Sequence, residues 1–467
     1  MARDSNQHDR RDLVDHTRKY LDRRTFLGAT GATGLAGLAG CSALGGGGGS
    51  GGPIKIGAVY MLSGIAEALG QASVAGAKLG VKQINDAGGI MGRDVELLTR
   101  DHAGSTSKAN QHFKDLVQSE GVDAMIGLTS SGVTLGTAPT VEQLGVPLVL
   151  TDIGTPYITE PNTEKYGNFY QDEGGKAAFK KNIFRTTANT TINTYGMAKL
   201  AHDKLDGIER VATIGPDYAY GHQCWEYFKA FSDGLGADYE YVASEFPQLG
   251  ASDMTPQINS VMNANPDLVV TSFWAGDSVT FAQQAASQGL FDQAVDVFDT
   301  LGADPTVFES LGNSMPEGYH YSSWYWHSSF DNEENRKFLQ DYWNEYKDDS
   351  STINIPSFTG PSTTSALWLL KRAMEKNEST SPSDIISGLE GAEYTGPRGT
   401  WTMDADTHQA SAPTSIGKTA RSDADGNDGP GPGVPYDGVG LDPAYAYSLD
   451  RATAKELLSG SGLPPGV

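Results

Sequence analysis

The feature that most constrains this chain is a regular alternation of short apolar segments with longer amphipathic ones, which starts near Pro53. Residues 54–60 (IKIGAVY) have the composition of a buried strand, and residues 66–87 carry apolar side chains at helical spacing. Further strands are predicted at 95–99, 123–127 and 147–150, and helices at 105–119 and 132–144. Alternation at this spacing predicts βαβ units, and therefore a parallel sheet with helices on both faces.

A second run of the same kind follows a polar insertion at residues 160–181. It predicts strands at 183–185, 210–214, 239–246, 268–271 and 295–298, and helices at 190–205, 221–235, 254–263 and 279–288. Two successive runs predict two α/β lobes, each built on its own sheet. Further helices are predicted at 338–346 and 365–376, and the Gly, Pro and Asp residues beyond Arg421 predict a loop.

The first forty residues have the features of an export signal. Arg23 and Arg24 form a twin-arginine pair, and the Gly/Ala-rich stretch after them is too short and too rich in glycine to span a membrane. Small residues precede Cys41, as in the cleavage box of lipoproteins, in which the cysteine becomes the lipid-modified N-terminus.

Residues 1–40 are therefore predicted to be a twin-arginine lipoprotein signal, and residues 41–53 a Gly-rich tether. This places the folded part of the chain on the extracellular face of the cell membrane, held by a lipid on Cys41. The alternative is a disordered tail in which the cysteine occurs by chance.

The charge of the chain excludes one class of partner. Lys and Arg number 34 against 58 Asp and Glu, so the formal net charge is −24. Surfaces that bind nucleic acids are basic, and no nucleic-acid partner is therefore predicted. An acidic surface is typical of proteins adapted to high salt, where counter-ions screen the repulsion, which predicts a halophilic, haloarchaeal source.

Motifs of common enzymes and metal sites are missing from the sequence. It has no Gly-x-Ser-x-Gly elbow between a predicted strand and helix, no phosphate-binding P-loop and no His-Glu-x-x-His motif, so no enzymatic activity is predicted. Asp423, Asp425 and Asn427 imitate the start of a calcium loop, but Asp428 and Val434 stand where Gly and Glu are required. The prediction is therefore a protein without metal or cofactor.

Hydroxyl residues follow one of the predicted strands at the end where open parallel sheets place their binding sites. Ser130 and Ser131 lie between the strand at 123–127 and the helix at 132–144. The free N–H groups and the positive dipole at a helix N-terminus attract an anion such as a carboxylate. A serine that only caps the helix is the alternative.

Three other strand ends carry acidic, hydroxyl or aromatic residues at comparable places. Asp152, Gly154 and Thr155 follow a strand of the first run, and Tyr220 and Trp274 follow strands of the second. This distribution predicts a cleft that closes on a small ligand, with polar anchors from one lobe and aromatic walls from the other. Taken alone, each of these aromatic residues is more often a packing residue.

Six short segments carry a resemblance to a known family. They are Ile54-Lys55-Ile56-Gly57, Leu62-Ser63-Gly64, Gly88-Gly89-Ile90, Ser130-Ser131, Tyr220-Gly221 and Gly399-Thr400-Trp401. With them, the chain from Ile54 to about Leu449 resembles the type I periplasmic solute-binding proteins of the branched-chain amino acid and amide class. The resemblance implies an α/β fold of two Rossmann-like lobes, each a parallel sheet with helices on both faces, joined by three crossovers.

Because of these crossovers, each implied lobe is discontinuous. The first lobe comprises residues 54–188 plus 326–395, the second comprises 189–325 plus 396–450, and a C-terminal tail occupies 451–467. The resemblance further implies the solute-binding component of an ABC importer, which carries a branched-chain amino acid or a related amide or carboxylate to a membrane permease. A ligand-sensing receptor domain that feeds a signalling partner is the alternative.

The resemblance also assigns roles within the cleft. Ser130 and Ser131 correspond to the group that holds the ligand carboxylate. The loop with Asp152, Gly154 and Thr155 corresponds to one that contacts both ends of an amino acid, and Tyr220 and Trp274 correspond to rings that close over it.

One position departs from the family pattern. Amino-acid binders place a glutamate after the strand at 295–298, where it pairs with the ligand ammonium, but Leu301 stands there, with Asp299 two residues earlier. A buried ammonium without a carboxylate costs several kcal/mol. Either Asp152 or Asp299 supplies that charge, or the ligand has no ammonium group.

Overall fold

The computed structural model describes residues 51–159, 181–349, 355–421 and 439–467. The strands are β1 (Ile54–Tyr60), β2 (Val95–Asp101), β3 (Ala124–Gly127), β4 (Leu148–Leu150), β5 (Ile183–Arg185), β6 (Arg210–Ile214), β7 (Glu240–Glu245), β8 (Leu268–Thr271), β9 (Asp296–Asp299), β10 (His320–Ser323), β11 (Glu393–Gly396), β12 (Gly399–Thr402), β13 (Thr414–Arg421) and β14 (Val439–Tyr447).

The α-helices are α1 (Glu67–Asp86), α2 (Thr106–Asp115), α3 (Ser131–Leu144), α4 (Thr190–Lys204), α5 (Ala219–Gly234), α6 (Thr255–Asn263), α7 (Gly276–Gln288), α8 (Leu290–Gln293), α9 (Pro305–Leu311), α10 (Glu333–Tyr346), α11 (Thr359–Lys376), α12 (Pro382–Leu389) and α13 (Arg451–Leu457). None of those helices, within the described part of the chain, has the length and apolar character needed to cross a bilayer.

The first lobe is built on a five-stranded sheet with the order β2-β1-β3-β4-β5, in which all neighbouring strands are parallel. Side chains of β1 alternate between its two faces, as the strand period requires. Ile56 and Tyr60 pack with side chains of α1 and α11, whereas Val59 lies in the cluster that contains Phe113 and Val133. Helices thus cover both faces of this sheet, and the predicted fold class is confirmed.

The second lobe is built on a seven-stranded sheet with the order β14-β13-β10-β9-β8-β6-β7. Its strands from β7 to β10 are parallel, but β13 pairs antiparallel with both β10 and β14. This lobe therefore has the predicted parallel sheet, extended at one edge by two antiparallel strands. These two strands come from the C-terminal part of the chain, where residues 422–438 lie outside the described residues and residues 439–447 form a strand instead of the predicted loop.

The chain passes between the sheets in three segments, which comprise residues 186–189, 324–332 and 403–413. The helices α10, α11 and α12 return to the first lobe, where α11 packs on α1. The antiparallel pair β11 and β12 also joins the first lobe, because Tyr394 and Trp401 lie in its apolar cluster. The third crossing accordingly follows Thr402 and not residue 395.

Several predictions fall on residues outside the described ranges. These are the export signal at 1–40, Cys41 with most of its tether, the insertion at 160–181 except its last residue, and the calcium-like segment that starts at Asp423. Among the described residues, no group of three or more His, Cys, Asp or Glu side chains is placed to hold a metal ion.

Candidate functional site

The ends of six strands, two from the first lobe and four from the second, converge on one cleft. The empty space within the cleft, counted together with the open solvent at its mouth, is about 250 Å³. Its walls are formed by Thr129, Ser130, Ser131, Asp152, Gly154, Tyr218, Tyr220, Trp274, Leu301 and Trp324. The structure therefore brings together six of the seven residues that the sequence predicts for ligand binding.

The N-terminus of α3 forms the polar floor of the cleft on the first-lobe side. Ser130 precedes the helix with φ 76° and ψ 119°, and its side chain makes no capping hydrogen bond. The Ser131 hydroxyl accepts a hydrogen bond from the backbone N–H of Thr155 at 3.2 Å. Neither serine caps α3, so the backbone N–H groups of its first turn lie at the cleft without a side-chain cap.

Thr155, the seventh predicted residue, does not line the cleft. Its N–H holds the Ser131 hydroxyl, its own hydroxyl accepts a hydrogen bond from the N–H of Tyr157 at 3.3 Å, and its carbonyl accepts one from Arg185 Nη2 at 2.7 Å. Thr155 thus supports the floor of the cleft from behind.

Gly154 and Tyr220 bring the two lobes into contact. A Cβ atom at position 154 would lie 2.6 Å from Cε2 of the Tyr220 ring and 2.9 Å from Oγ1 of Thr190. The ring is also held from its own lobe, since the Tyr220 hydroxyl and Thr300 Oγ1 are hydrogen-bonded at 3.1 Å. Only a glycine allows the rings of the second lobe to approach the first this closely.

Aromatic residues form the opposite wall. Trp274 and Trp324 are both buried, and within the described part of the chain the Trp324 indole N–H has no hydrogen-bond partner. Trp324 lies in the second crossing segment. Its ring packs edge-to-face with that of Phe358, and the two ring centroids are 5.0 Å apart. Sequence reasoning missed Trp324 because it follows no strand of the two predicted runs; the aromatic cluster Trp324-Tyr325-Trp326 was the available signal.

Asp152 is the one charged side chain among the described residues that line the cleft. It is 5 % exposed, and its Oδ2 atom has no hydrogen-bond partner in the described structure. Burial raises the pKa of the Asp152 carboxyl well above its usual value, and the charge of Asp304 adds to this, while a hydrogen bond from Thr129 opposes it. A cation in the cleft would stabilise the ionised form.

Asp299, the other candidate for the missing glutamate, does not line the cleft. Its Oδ1 accepts hydrogen bonds from the backbone N–H groups of Leu301 at 3.0 Å and Gly302 at 2.7 Å. Burial raises the pKa of Asp299 to about 7, although these bonds and one from Ser278 oppose the shift. Leu301, and not a carboxylate, occupies the wall at this point.

A buried arginine fixes the loop under the cleft. Arg185, at the end of β5, donates through Nη1 to Gln409 Oε1 at 3.0 Å, which also accepts from the Asn189 amide at 3.1 Å. Burial lowers the pKa of Arg185 to about 9. Since Asn189 and Gln409 belong to two different crossing segments, Arg185 ties both of them to the ligand-side loop at Thr155.

Comparison with known proteins identifies the family. A family of periplasmic binding proteins matches residues 53–427. The chain belongs to this family. Membership of a family of binding proteins agrees with the two-lobed cleft, and it confirms the prediction that the chain is a binding protein rather than an enzyme.

Named relatives lie at low sequence identity. The Leu/Ile/Val-binding protein homolog 4 of Brucella abortus is 26 % identical over 392 residues, which cover 80 % of this chain and 87 % of that protein. A solute-binding protein of an ABC transporter from R. palustris, solved with 4-hydroxybenzoate, has a TM-score of 0.67 at 21 % identity and covers 79 % of this chain and 94 % of its own. The branched-chain amino acid transporter substrate-binding protein LivJ of Streptococcus pneumoniae, solved with isoleucine, has a TM-score of 0.66 at 19 % identity, with coverages of 85 % and 100 %. These structures share the fold of this periplasmic binding protein.

Proposed function

We propose that this periplasmic binding protein is the solute-binding component of an ABC importer and captures a small carboxylate-bearing solute outside the cell. The observation that carries the proposal is the cleft itself, in which the uncapped N-terminus of α3 faces the rings of Tyr220 and Trp274 from the other lobe. A site divided in this way favours closure around a small molecule, because each lobe supplies half of the contacts.

Each predicted site residue receives a role in this proposal. The first turn of α3, with Ser130 and Ser131, binds the solute carboxylate. Asp152 lies beside this carboxylate site. Gly154 leaves room for the Tyr220 ring, and Trp274 forms the wall that covers the solute. Thr155 positions Ser131 and makes no direct contact.

The names of the relatives indicate which solutes to test first. They name Leu/Ile/Val, isoleucine and 4-hydroxybenzoate as ligands, and two of the three, from R. palustris and Streptococcus pneumoniae, are named as components of transporters, which favours import over sensing. The candidate solutes for this chain are therefore branched-chain amino acids, aromatic acids and related small amides.

Thermal unfolding in high salt tests the binding function. A solute at about 100 times its dissociation constant should stabilise the protein by about 2.7 kcal/mol. If the site lies in the cleft, binding should also change the tryptophan fluorescence, and Trp274→Ala should remove most of that change. A stabilising solute whose affinity is unaltered by substitution at Ser131 and at Trp274 would contradict the proposed site.

The proposed location depends on the leader and on Cys41, which lie outside the described residues. The signal at 1–40 would export the chain by the twin-arginine route, and a lipid on Cys41 would hold it near its permease through the tether at 41–53. Cys41→Ser should release the protein into the medium, whereas Cys224→Ala, which changes the other cysteine of the chain, should leave it in the membrane fraction. Release of both variants, or of neither, would argue against the anchor. Loss of the fold in dilute buffer would support a halophilic source.

A further inference from the structure

The side chains of the cleft differ from what a simple carboxylate would require. Four of the ten lining residues are aromatic, namely Tyr218, Tyr220, Trp274 and Trp324, and Asp152 is the one ionisable carboxyl. No lysine, arginine or histidine lies among the described lining residues. Apart from the N-terminus of α3 and the indole N–H groups of Trp274 and Trp324, which lack a partner in the described structure, the cleft therefore favours positive charge, since ring faces are negative and a carboxylate is anionic.

These aromatic groups form one cluster with Asp152. The rings of Tyr218 and Tyr220 have their centroids 6.2 Å apart. Burial raises the pKa of the Tyr218 phenol, and both a contact with the Trp274 indole and the charge of Asp152 act on it, which places the three groups within electrostatic reach of one another. Trp324 is fixed by Phe358 behind it.

The supply of acceptors distinguishes two kinds of positively charged group. A primary ammonium has three N–H donors, each of which needs an acceptor when it is buried. Asp152 Oδ2 is the one carboxyl oxygen of the described lining that lacks a partner, and the hydroxyl acceptors of Thr129, Ser130 and Ser131 lie on the α3 side, where the solute carboxylate is placed. Aromatic rings make up much of the remaining wall. An alkylated ammonium has few or no N–H donors and is bound through charge and ring faces.

We propose that the cleft takes a zwitterionic solute whose positive end is an alkylated ammonium group, held by Asp152 and the surrounding rings, while its carboxylate lies at the N-terminus of α3. This inference rests on the proposed function and names the solute class of the same site. It separates the two ends of the solute between the helix N-terminus and the aromatic cluster, in agreement with the division of the cleft walls.

Calorimetric titration of the intact folded protein tests this proposal with two matched probes. Trimethylglycine carries the charged group. The anion tert-butylacetate (3,3-dimethylbutanoate) has the same shape and the same carboxylate, with a neutral carbon in place of the nitrogen. Trimethylglycine should bind at least about tenfold more tightly, as expected for a cation enclosed by rings. Asp152→Asn should weaken trimethylglycine about tenfold or more and change tert-butylacetate by no more than about twofold.

The possible outcomes separate this inference from the proposed function. Equal affinity for the two probes, or no binding of trimethylglycine, overturns the inference. If leucine or 4-hydroxybenzoate binds in that case, the proposed function stands without it. If no solute of a broad panel binds, both are overturned. Melting curves of the Asp152→Asn variant establish that a lost affinity does not reflect an unfolded protein.

Discussion

The two walls of the cleft differ in how they can interact with a solute. The first-lobe wall offers backbone N–H groups, hydroxyls and one carboxyl at Ser130, Ser131 and Asp152, whereas the second-lobe wall offers mainly rings, such as Tyr220 and Trp274. Hydrogen bonds fix direction, and ring surfaces gain free energy mainly from the area that they bury. The difference indicates that the first lobe selects and orients the solute, and that the second stabilises the closed form.

The strongest test of these two roles is a substitution that prevents the two walls from coming together. In Gly154→Val, the new side chain would occupy the place of the Tyr220 ring, because even a Cβ at this position lies 2.6 Å from it. We expect an affinity loss of at least about 3 kcal/mol, or a hundredfold, measured by calorimetry with the solute found in the thermal screen.

Two controls accompany this variant. Gly52→Val adds the same side chain where no atom lies within 4 Å of the added Cβ, and should leave affinity unchanged. Adding Tyr220→Ala to Gly154→Val should restore part of the closure by making room for the valine. An affinity near that of the unsubstituted protein for Gly154→Val alone would show that the lobes do not need this contact.

Trp274 tests the stabilising wall directly. Trp274→Ala removes a buried ring, 4 % exposed, from the second-lobe side and should weaken binding by about 1–3 kcal/mol. The matched control is Trp368→Ala, in α11 on the first lobe and outside the cleft, which should lower the melting temperature without changing affinity. Equal affinity losses in the two variants would point to a general effect of destabilisation.

Ser130 tests the orienting wall with a smaller effect. Its side chain caps no helix, so Ser130→Ala should cost about 1 kcal/mol of binding and little stability. Ser131→Ala should cost more in stability, because the N–H of Thr155 then loses its acceptor. Calorimetry and thermal melts of both variants separate the two roles, and a stability loss for Ser130→Ala would contradict a free hydroxyl.

Most residues of both walls were predictable from the sequence, whereas Trp324 and the antiparallel strands β13 and β14 were not. Local patterns revealed where strands end, and therefore Ser130, Asp152, Tyr220 and Trp274, because parallel strands bring their carboxyl ends to one edge. Trp324 escaped because its place depends on a crossing between lobes, which linear spacing does not encode. The antiparallel strands β13 and β14 escaped for a similar reason, since their pairing depends on segments distant in sequence.

The sequence also left two carboxylates, Asp152 and Asp299, as equal candidates for a ligand cation. Residue position alone does not reveal which way a side chain turns. The structure shows that two backbone N–H groups bind Asp299 Oδ1 within its own loop and that Asp299 does not line the cleft, whereas Asp152 does. The Oδ2 atoms of both carboxyls lack a hydrogen-bond partner among the described residues, so the choice between them depends on which side chain lies at the cleft wall.

The smallest expected effect on binding belongs to Asp299, and it sharpens the same distinction. Its pKa is raised to about 7 by burial, so the folded protein holds a proton that the unfolded chain loses near pH 4. This group's contribution to stability is complete below about pH 4 and is lost as the pH rises to about 7. Asp299→Asn should remove that dependence, so that the melting temperature of the variant rises relative to that of the unsubstituted protein between about pH 4 and about pH 8.

The affinity of Asp299→Asn for the solute should change by no more than about twofold, because Asp299 does not line the cleft. If the affinity instead fell as far as in Asp152→Asn, the ligand charge would lie on the second lobe, and the division between an orienting and a stabilising wall would fail.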